Sequence, residues 1–459
     1  MKVTKQNMNL KKTLDEYSKS NMYPFHMPGH KRNLDGVYKI DMTEVEGVDD
    51  LHDPSDVIAG EQEKMARLFG ADESFILVGG STVGNLAAIY AACQEEDKII
   101  IQRNSHRSVY NGAMIRNLKV EYLNPKLDEQ GIYEAVTPEM VEKALQENTD
   151  AKAVVITSPT YEGYHTNLEI IAKICHEKNI CLIVDAAHGA HLGFHSEFKH
   201  RATEFADITV QSLHKTLPSL TQTAALHIKG KIADGRKIRE ALDIFETSSP
   251  SYVLMNSVSE CLDYLEKSVD SFDNYVENLK DFYSKCGELK HLKVVDEDSE
   301  IKDPGKIIIS TRQTNVTGIE LARILREKYE LETEMSSFAY VLAMTSVMDT
   351  KTGFDRLANA LIEIDKSLEL GTFEFPSIYI RSTKKMEMFE AKAKGSRVID
   401  LQDSINHVSA AMVCLYPPGA PVLVPGELIT TEALELIKKA KNVGIHVTGL
   451  SGNGVSVVN

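Results

Sequence analysis

The chain is 459 residues long, more than a single hydrophobic core organises, so two or three domains are expected. With 42% hydrophobic and 26% charged residues it has the composition of a folded globular protein and not of a disordered one. Its formal net charge of −16 argues against nucleic acid or an anionic membrane surface as partner and suits a small cationic ligand, although an acidic surface also serves solubility alone.

The N-terminus, Met1–Ser20, is lysine-rich but lacks the apolar stretch of a signal peptide, and no apolar run reaches the roughly 18 residues of a membrane span. From about residue 60 to 230, short apolar runs alternate with helical patterns. Ser74–Val78 reads as a buried strand, Gly84–Cys93 as a helix, and Lys98–Ile101 as the next strand. Ala153–Thr157 follows, then a helix near Leu168–Glu177, then strands at Ile180–Val184, Ile208–Val210 and Ala224–Ile228. Continuous apolar strands separated by helices predict a mostly parallel sheet covered on both faces. Leu262, Leu265, Val269, Phe272, Val276 and Leu279 recur at helical spacing, which predicts one long helix over Ser251–Leu289 bridging to a smaller domain. There, Lys306–Ser310 reads as a strand and Gly318–Glu327 as a helix starting behind Asn315 and Thr317. Phe373-Glu374-Phe375-Pro376 marks a further boundary, and 377–459 has its own strands and a helix near Thr431–Lys441. The expected division is an N-terminal segment 1–45, a large domain 46–270, a small α/β domain 271–370 and a C-terminal domain 371–459. The six cysteines include no Cys-x-x-Cys, and Cys93, Cys181 and Cys414 lie in apolar runs, which fits small core residues in a reducing cytoplasm.

In an open parallel sheet, ligands sit beyond the C-terminal ends of the strands. After the first strand comes Gly79-Gly80-Ser81-Thr82-Val83-Gly84-Asn85, opening a helix. Glycines admit close approach, hydroxyls donate hydrogen bonds and a helix N-terminus favours an anion, so this is a candidate phosphate cup. It lacks the Gly-Lys-Ser/Thr ending of a nucleotide P-loop, and taken alone such residues are also ordinary helix caps. After the second strand, His106 is placed either to stack on an aromatic cofactor or to serve as a hydrogen-bonded loop residue. After the third, Ser158-Pro159-Thr160-Tyr161-Glu162-Gly163 is a turn that carries Tyr161. After the fourth, Asp185 and Ala187 share a face, so a carboxylate can reach a ring nitrogen while the alanine lets the ring lie flat. Asp185, His188 and His191 form a rival metal set that no second carboxylate or cysteine cluster supports. After the fifth, Ser212 and His214 can reach a phosphate or a reaction intermediate, and Lys215 an aldehyde. Lys215 and Asp185 lie 215 − 185 = 30 residues apart. Together they match what pyridoxal phosphate (PLP) needs, an amine for a Schiff base and a carboxylate that keeps the pyridine nitrogen protonated. Lys31 is the rival lysine, but it precedes every sheet strand.

With these residues in view, the chain resembles the Orn/Lys/Arg decarboxylase family, a branch of the fold type I (aspartate aminotransferase-like) PLP enzymes. The resemblance is carried by Phe25-His26-Met27-Pro28-Gly29-His30-Lys31, Gly47-Val48-Asp49-Asp50-Leu51-His52, Gly80–Asn85, Arg103–Ser108, Asp185–His191, Ser212–Leu217 and Tyr416-Pro417-Pro418-Gly419-Ala420-Pro421, in order along nearly the whole chain. Asp185-Ala186-Ala187-His188 and His106-Arg107-Ser108 stand where the family often has Asp-Glu-Ala-His and His-Lys-Ser. The resemblance implies an α/β fold, with a mostly parallel sheet of seven-stranded type in the large domain and smaller α+β domains beside it. It also implies PLP as cofactor and decarboxylation of arginine, lysine or ornithine to agmatine or a diamine. By the same resemblance Lys215 is the Schiff-base lysine, Asp185 the pyridinium partner, and His106 and Ala187 the two faces of the ring. Ser81, Thr82, Ser212 and His214 fall to the phosphate, Val83 and His188 count among the cofactor contacts, and Lys215 or His214 reprotonates the α-carbon. No metal is expected. The distal cation of the substrate requires an acidic group, for which Asp49, Asp50, Glu332 and Glu334 are candidates; arginine or lysine is favoured. The chain has no room for the N-terminal wing of the large inducible members, so a short form acting as a homodimer, with its site at the subunit interface, is expected. An aminotransferase or a non-catalytic relative on the same fold remains the alternative.

Overall fold

The structure, a computed structural model, describes residues 9–129, 131–371, 383–416 and 419–459; the expected boundary at Phe373–Pro376 and the motif residues Pro417 and Pro418 lie outside the described residues. Two helices, α1 (Leu10–Ser18) and α2 (Val57–Phe69), precede the main sheet. Its strands are β1 (Glu73–Leu77), β2 (Lys98–Gln102), β3 (Lys119–Leu123), β4 (Ala151–Thr157), β5 (Cys181–Asp185), β6 (Ile208–Ser212) and β7 (Ala224–Ile228). They lie in the order β1-β7-β6-β5-β4-β2-β3, and within this sheet β7 alone runs against its neighbours. The helices between them are α3 (Gly80–Ala92), α4 (Arg107–Ile115), α5 (Pro138–Glu147), α6 (Leu168–His176) and the single turn α7 (Leu213–Thr216). Because successive strand residues face opposite ways, Ile99, Ile101, Val155 and Ile183 enter one apolar layer while Ile100, Val154, Ile156, Leu182 and Val184 enter the other. Both faces are therefore covered, which is why these strands are apolar throughout.

The sequence pattern starts the first sheet helix at Gly84, whereas α3 begins at Gly80. Gly-Ser-Thr resembles a loop, but here it forms the first helical turn, with Gly80 at φ +78°. The edge strand β3 carries Lys119 and Glu121 among its apolar residues and escaped the pattern for that reason. The long helix over Ser251–Leu289 is in fact two: after α8 (Gly235–Phe245) come α9 (Tyr252–Leu265) and α10 (Val269–Cys286). Ser268 donates to the Leu265 carbonyl at 3.0 Å and so ends the first helix locally. Val269, counted in the apolar stripe, is 68% exposed.

Beyond α10 lies a second sheet, β8 (Lys293–Val294), β9 (Lys306–Ser310), β10 (Met335–Ser336) and β11 (Tyr340–Met344), antiparallel in the order β10-β11-β9-β8. Helix α11 (Gly318–Tyr329) starts where the sequence places it, at a capping box formed by Thr317 and Glu320. With α12 (Lys351–Asp365) it joins α10 and the N-terminal helices in one apolar cluster that runs from Leu10 and Phe272 to Ile307 and Leu361. The C-terminal part carries α13 (Met388–Ala393), β12 (Ser396–Asp400), β13 (Val413–Tyr416), β14 (Pro421–Leu423), α14 (Thr431–Asn442), β15 (His446–Thr448) and β16 (Gly454–Val458). All six cysteines are buried and unpaired, and among the described residues no helix is long and apolar enough to cross a membrane.

Candidate active site

Strands β1, β2, β4, β5 and β6 end at one cavity of about 470 Å³. It collects Ser81, Thr82, His106, Tyr161, Asp185, Ala187, His188, Ser212, His214 and Lys215 on its wall. Val83 is not among them; its side chain packs into the apolar layer over the sheet. The decoy Lys31 lies elsewhere and donates to the carbonyl of His26.

The cup at the start of α3 is shaped by Gly79, where an added Cβ would sit 2.5 Å from Val83 Cγ2 and 2.9 Å from Glu246 Oε1. Glu246 accepts hydrogen bonds from the Val78 and Gly79 amides at 3.1 and 3.0 Å and fixes the turn. Across the cup, the Ser212 hydroxyl donates to Ser81 Oγ at 3.0 Å. His214 donates from Nδ1 to the Thr223 carbonyl at 2.8 Å, and burial lowers its pKa from the ordinary value, so the ring is neutral with Nε2 free to accept.

Asp185 is 2% exposed. Its Oδ2 accepts from Asn85 Nδ2 at 2.9 Å and its Oδ1 from the Ala187 amide at 3.2 Å. Asn85 also donates to Ser108 Oγ at 2.9 Å, and Ser108 Oγ lies 2.9 Å from His106 Nδ1. The Ser108 amide donates to the same nitrogen at 3.3 Å, so the His106 proton sits on Nε2. One polar chain thus orients both the carboxylate and the ring that the sequence pairs with a cofactor. Burial lowers the pKa of His106, against the field of Asp185.

Lys215 Nζ lies 3.0 Å from His188 Nε2. Burial brings the amine below its ordinary range, while Asp185 and Glu334 hold it up. Of the four acidic candidates for a distal cation, Glu334 alone lines the cavity. It accepts from the Tyr161 hydroxyl at 2.6 Å. Asp49 instead accepts the amides of Asp50, Ser55, Asp56 and Ile58 and ties a loop; Asp50 accepts from the His52 amide, and Glu332 pairs with exposed Arg326.

Several residues on or behind the wall were not singled out by the sequence. Glu162 is buried under a 2.9 Å hydrogen bond from the Tyr340 hydroxyl, and burial raises its pKa. Arg103, quoted above only as part of a motif, spans from the large domain to the C-terminal part. It donates to the Pro421 carbonyl at 2.7 Å and pairs with Glu427 at 3.0 Å. Lys306, which reads in the sequence only as a strand opener, lies 2.6 Å from His188 Nδ1. The rival metal set is not assembled. Asp185 is bonded to Asn85, His191 lies 3.1 Å from Asp303, and His188 faces two lysine amines, an unfavourable place for a further cation.

The residues fit PLP. A helix N-terminus with hydroxyls suits a phosphate, a buried carboxylate suits a pyridinium, and a lysine with a depressed pKa suits an aldehyde. Together with the cup and this sheet, such a lysine and buried carboxylate define the class: a PLP-dependent enzyme of fold type I. Comparison with known proteins narrows the class. Residues 9–285 match the Orn/Lys/Arg decarboxylase major domain and residues 376–453 match the Orn/Lys/Arg decarboxylase C-terminal domain. An arginine decarboxylase of Halalkalibacterium halodurans is 31% identical, the match covering 94% of this chain and 93% of that one. One from Bacillus anthracis is 30% identical over 95% and 93%. The fold is also that of the lysine decarboxylase LdcF of Francisella novicida, with a TM-score of 0.84 at 21% identity, covering 98% of this chain and 81% of that one. The chain belongs to the Orn/Lys/Arg decarboxylase family, whose members are PLP-dependent decarboxylases of basic amino acids.

Proposed function

We propose that this chain decarboxylates arginine to agmatine and CO2. The observation that carries the choice of a distal cation is Glu334, the one of the four acidic candidates from the sequence that lines the cavity, held by Tyr161. The preference for arginine is supported by the arginine decarboxylases at about 30% identity over nearly the full chain. A planar guanidinium also suits a carboxylate that it can meet with two parallel hydrogen bonds.

PLP, when bound, supplies an aldehyde that condenses with an amine and a ring that takes up the electron pair left as CO2 departs. The chain's own residues do the rest. Lys215 would hold the aldehyde and Asp185 a proton at the ring nitrogen. Ser81, Thr82, Ser212 and His214 would bind the phosphate, and His106 and Ala187 would confine the ring. Lys215 is the better donor of the proton returned to the α-carbon, because His214 commits its N–H to Thr223. The enclosing wall keeps water from competing for that carbon.

A CO2-release assay with arginine, lysine and ornithine tests the proposal, with product identified. Arginine is expected to turn over fastest and to yield agmatine; faster turnover of lysine or ornithine sinks the arginine assignment, and amino transfer to a keto acid without CO2 sinks decarboxylation. Borohydride reduction of the holoenzyme is expected to label Lys215, and a label elsewhere removes its role.

The chain is further proposed to act as a homodimer. Support comes from an exposed apolar stretch near the N-terminus, with Tyr23 65%, Phe25 92% and Val37 56% exposed. Sedimentation is expected to give twice the 51.1 kDa chain mass and a monomer for Phe25→Ser combined with Tyr23→Ser; a monomeric wild type overturns this.

A further inference from the structure

Behind Lys215 stands a second buried lysine that the reaction above does not use. Lys306 opens β9 and is 1% exposed. Its Nζ lies 2.6 Å from His188 Nδ1, while His188 Nε2 lies 3.0 Å from Lys215 Nζ. One imidazole therefore separates two amines. The neighbouring turn is shaped to admit this lysine: Gly163 has φ +102°, and a Cβ there would lie 2.7 Å from Lys306 Cγ. Tyr161 flanks both partners, edge-on to the His188 ring at 4.7 Å and with Lys306 Nζ 5.8 Å from its own ring centre. The titratable groups that face the trio are Asp303, Glu162 and Glu334 at Lys306, His106 and His191 at His188, and Asp185 and Glu334 at Lys215.

A neutral imidazole has one N–H and one lone pair. Between two amines it donates to one, which must then be a free amine, and accepts from the other, so the arrangement has room for one proton shared between the two lysines. Burial and the two lysines push His188 far below its ordinary value, which excludes an imidazolium donating both ways. Burial alone would raise the Asp303 carboxyl, but His191, Lys306 and His165 hold it well below the usual range, so it stays ionised beside Lys306. Burial also brings Lys306 down to about 8, where it can both hold and release a proton near neutral pH.

We propose that His188 passes a single proton between Lys306 and Lys215: Lys306 holds it while Lys215 is a free amine, and returns it when Lys215 acts as an acid. In the return step an N–H of the Lys306 ammonium breaks as one forms at His188 Nδ1. The His188 Nε2–H breaks as one forms at Lys215 Nζ. One proton moves, the imidazole changes tautomer, and no electrons change hands. His188 touches the reacting lysine, whereas Lys306 acts through it as a positioning residue. The proposal rests on the reading of Lys215 as the Schiff-base lysine, which borohydride labelling tests separately.

The test is the pH midpoint for acetylation of Lys215 in the full-length chain stripped of cofactor, read by peptide mass spectrometry with trace acetic anhydride. In Lys306→Met the midpoint is expected to rise by about one unit or more, because a nearby cation no longer disfavours the Lys215 ammonium. In Lys306→Arg the cation remains and the midpoint stays low. The guanidinium does not give up its proton, so kcat is expected to fall about 10-fold or more with KM unchanged. A Lys306→Met midpoint equal to the wild type, or a Lys306→Arg enzyme with wild-type kcat, overturns the proposal. If the Met variant does not fold, the Arg variant decides alone.

Discussion

Asp185 ends β5 with both carboxylate oxygens satisfied, one by the Asn85 side chain and one by the Ala187 amide. Those donors fix its direction in a buried place, which is what stabilising a pyridinium demands. Asp185→Asn keeps the shape and removes the charge. It is expected to lower kcat by about 100- to 1,000-fold, the usual effect of losing one preorganised charge at a reacting centre. Borohydride should still label Lys215, because the amine and its partner His188 are untouched. Steady-state kinetics beside mass-spectrometric mapping checks this, and a kcat within about threefold of the wild type would remove the role assigned to Asp185.

At the scale of elements, much of the site was legible because a parallel sheet delivers its loops to one edge. The predicted strands before Ser81, His106, Asp185 and Lys215 exist, and all four residues reach one cavity. Three kinds of information were missing. Strand β3 alternates Lys119 and Glu121 with Val120 and Tyr122, so it is passed over where only continuous apolar runs are read as strands. The break between α9 and α10 rests on local turn bonds, the Ser268 hydroxyl and amide both reaching the Leu265 carbonyl, and leaves the apolar spacing intact. The partners of His188 come from distant parts of the chain: Lys306 is 118 residues away, and its room depends on the backbone of Gly163. Periodicity reports which face of an element is apolar, not which elements later meet. For the same reason Glu334 was only one of four acidic candidates until β10 and β11 placed it beside Tyr161.

Across the whole molecule, the cavity is closed by three parts of the chain, with Arg103 bound to Pro421 and Glu427 on one side and Glu334 on the other, while Lys306 lies behind His188. Such enclosure buries many titratable groups, and stability inherits their pH dependence. Burial pushes His165 and His227 down to about 3. An unfolded histidine takes up a proton near its ordinary value of about 6.5. Between these values the unfolded chain binds more protons than the native one, so stability rises with pH across the window and is lost as pH falls through it. Glu61, Glu162 and Asp207, raised by burial, act in the opposite sense just above the ordinary carboxylate range. A single variant separates the contributions. His227 lies 2.7 Å from Ser74 Oγ and stacks on Phe69 with ring centres 4.9 Å apart, so His227→Phe retains the packing and removes the titration. Its baseline stability is expected to drop by about 1 kcal/mol for the lost hydrogen bond. Its further loss between about pH 6.5 and 4.5 is expected to be smaller than the wild type's by roughly 2–3 kcal/mol, at about 1.4 kcal/mol per unit for each group. Urea unfolding followed by circular dichroism at a series of pH values measures the difference. Parallel wild-type and variant curves would mean that His227 is not held neutral by the fold, and that burial is a weaker lever on the histidines of this molecule, His188 included, than its depth in the structure implies.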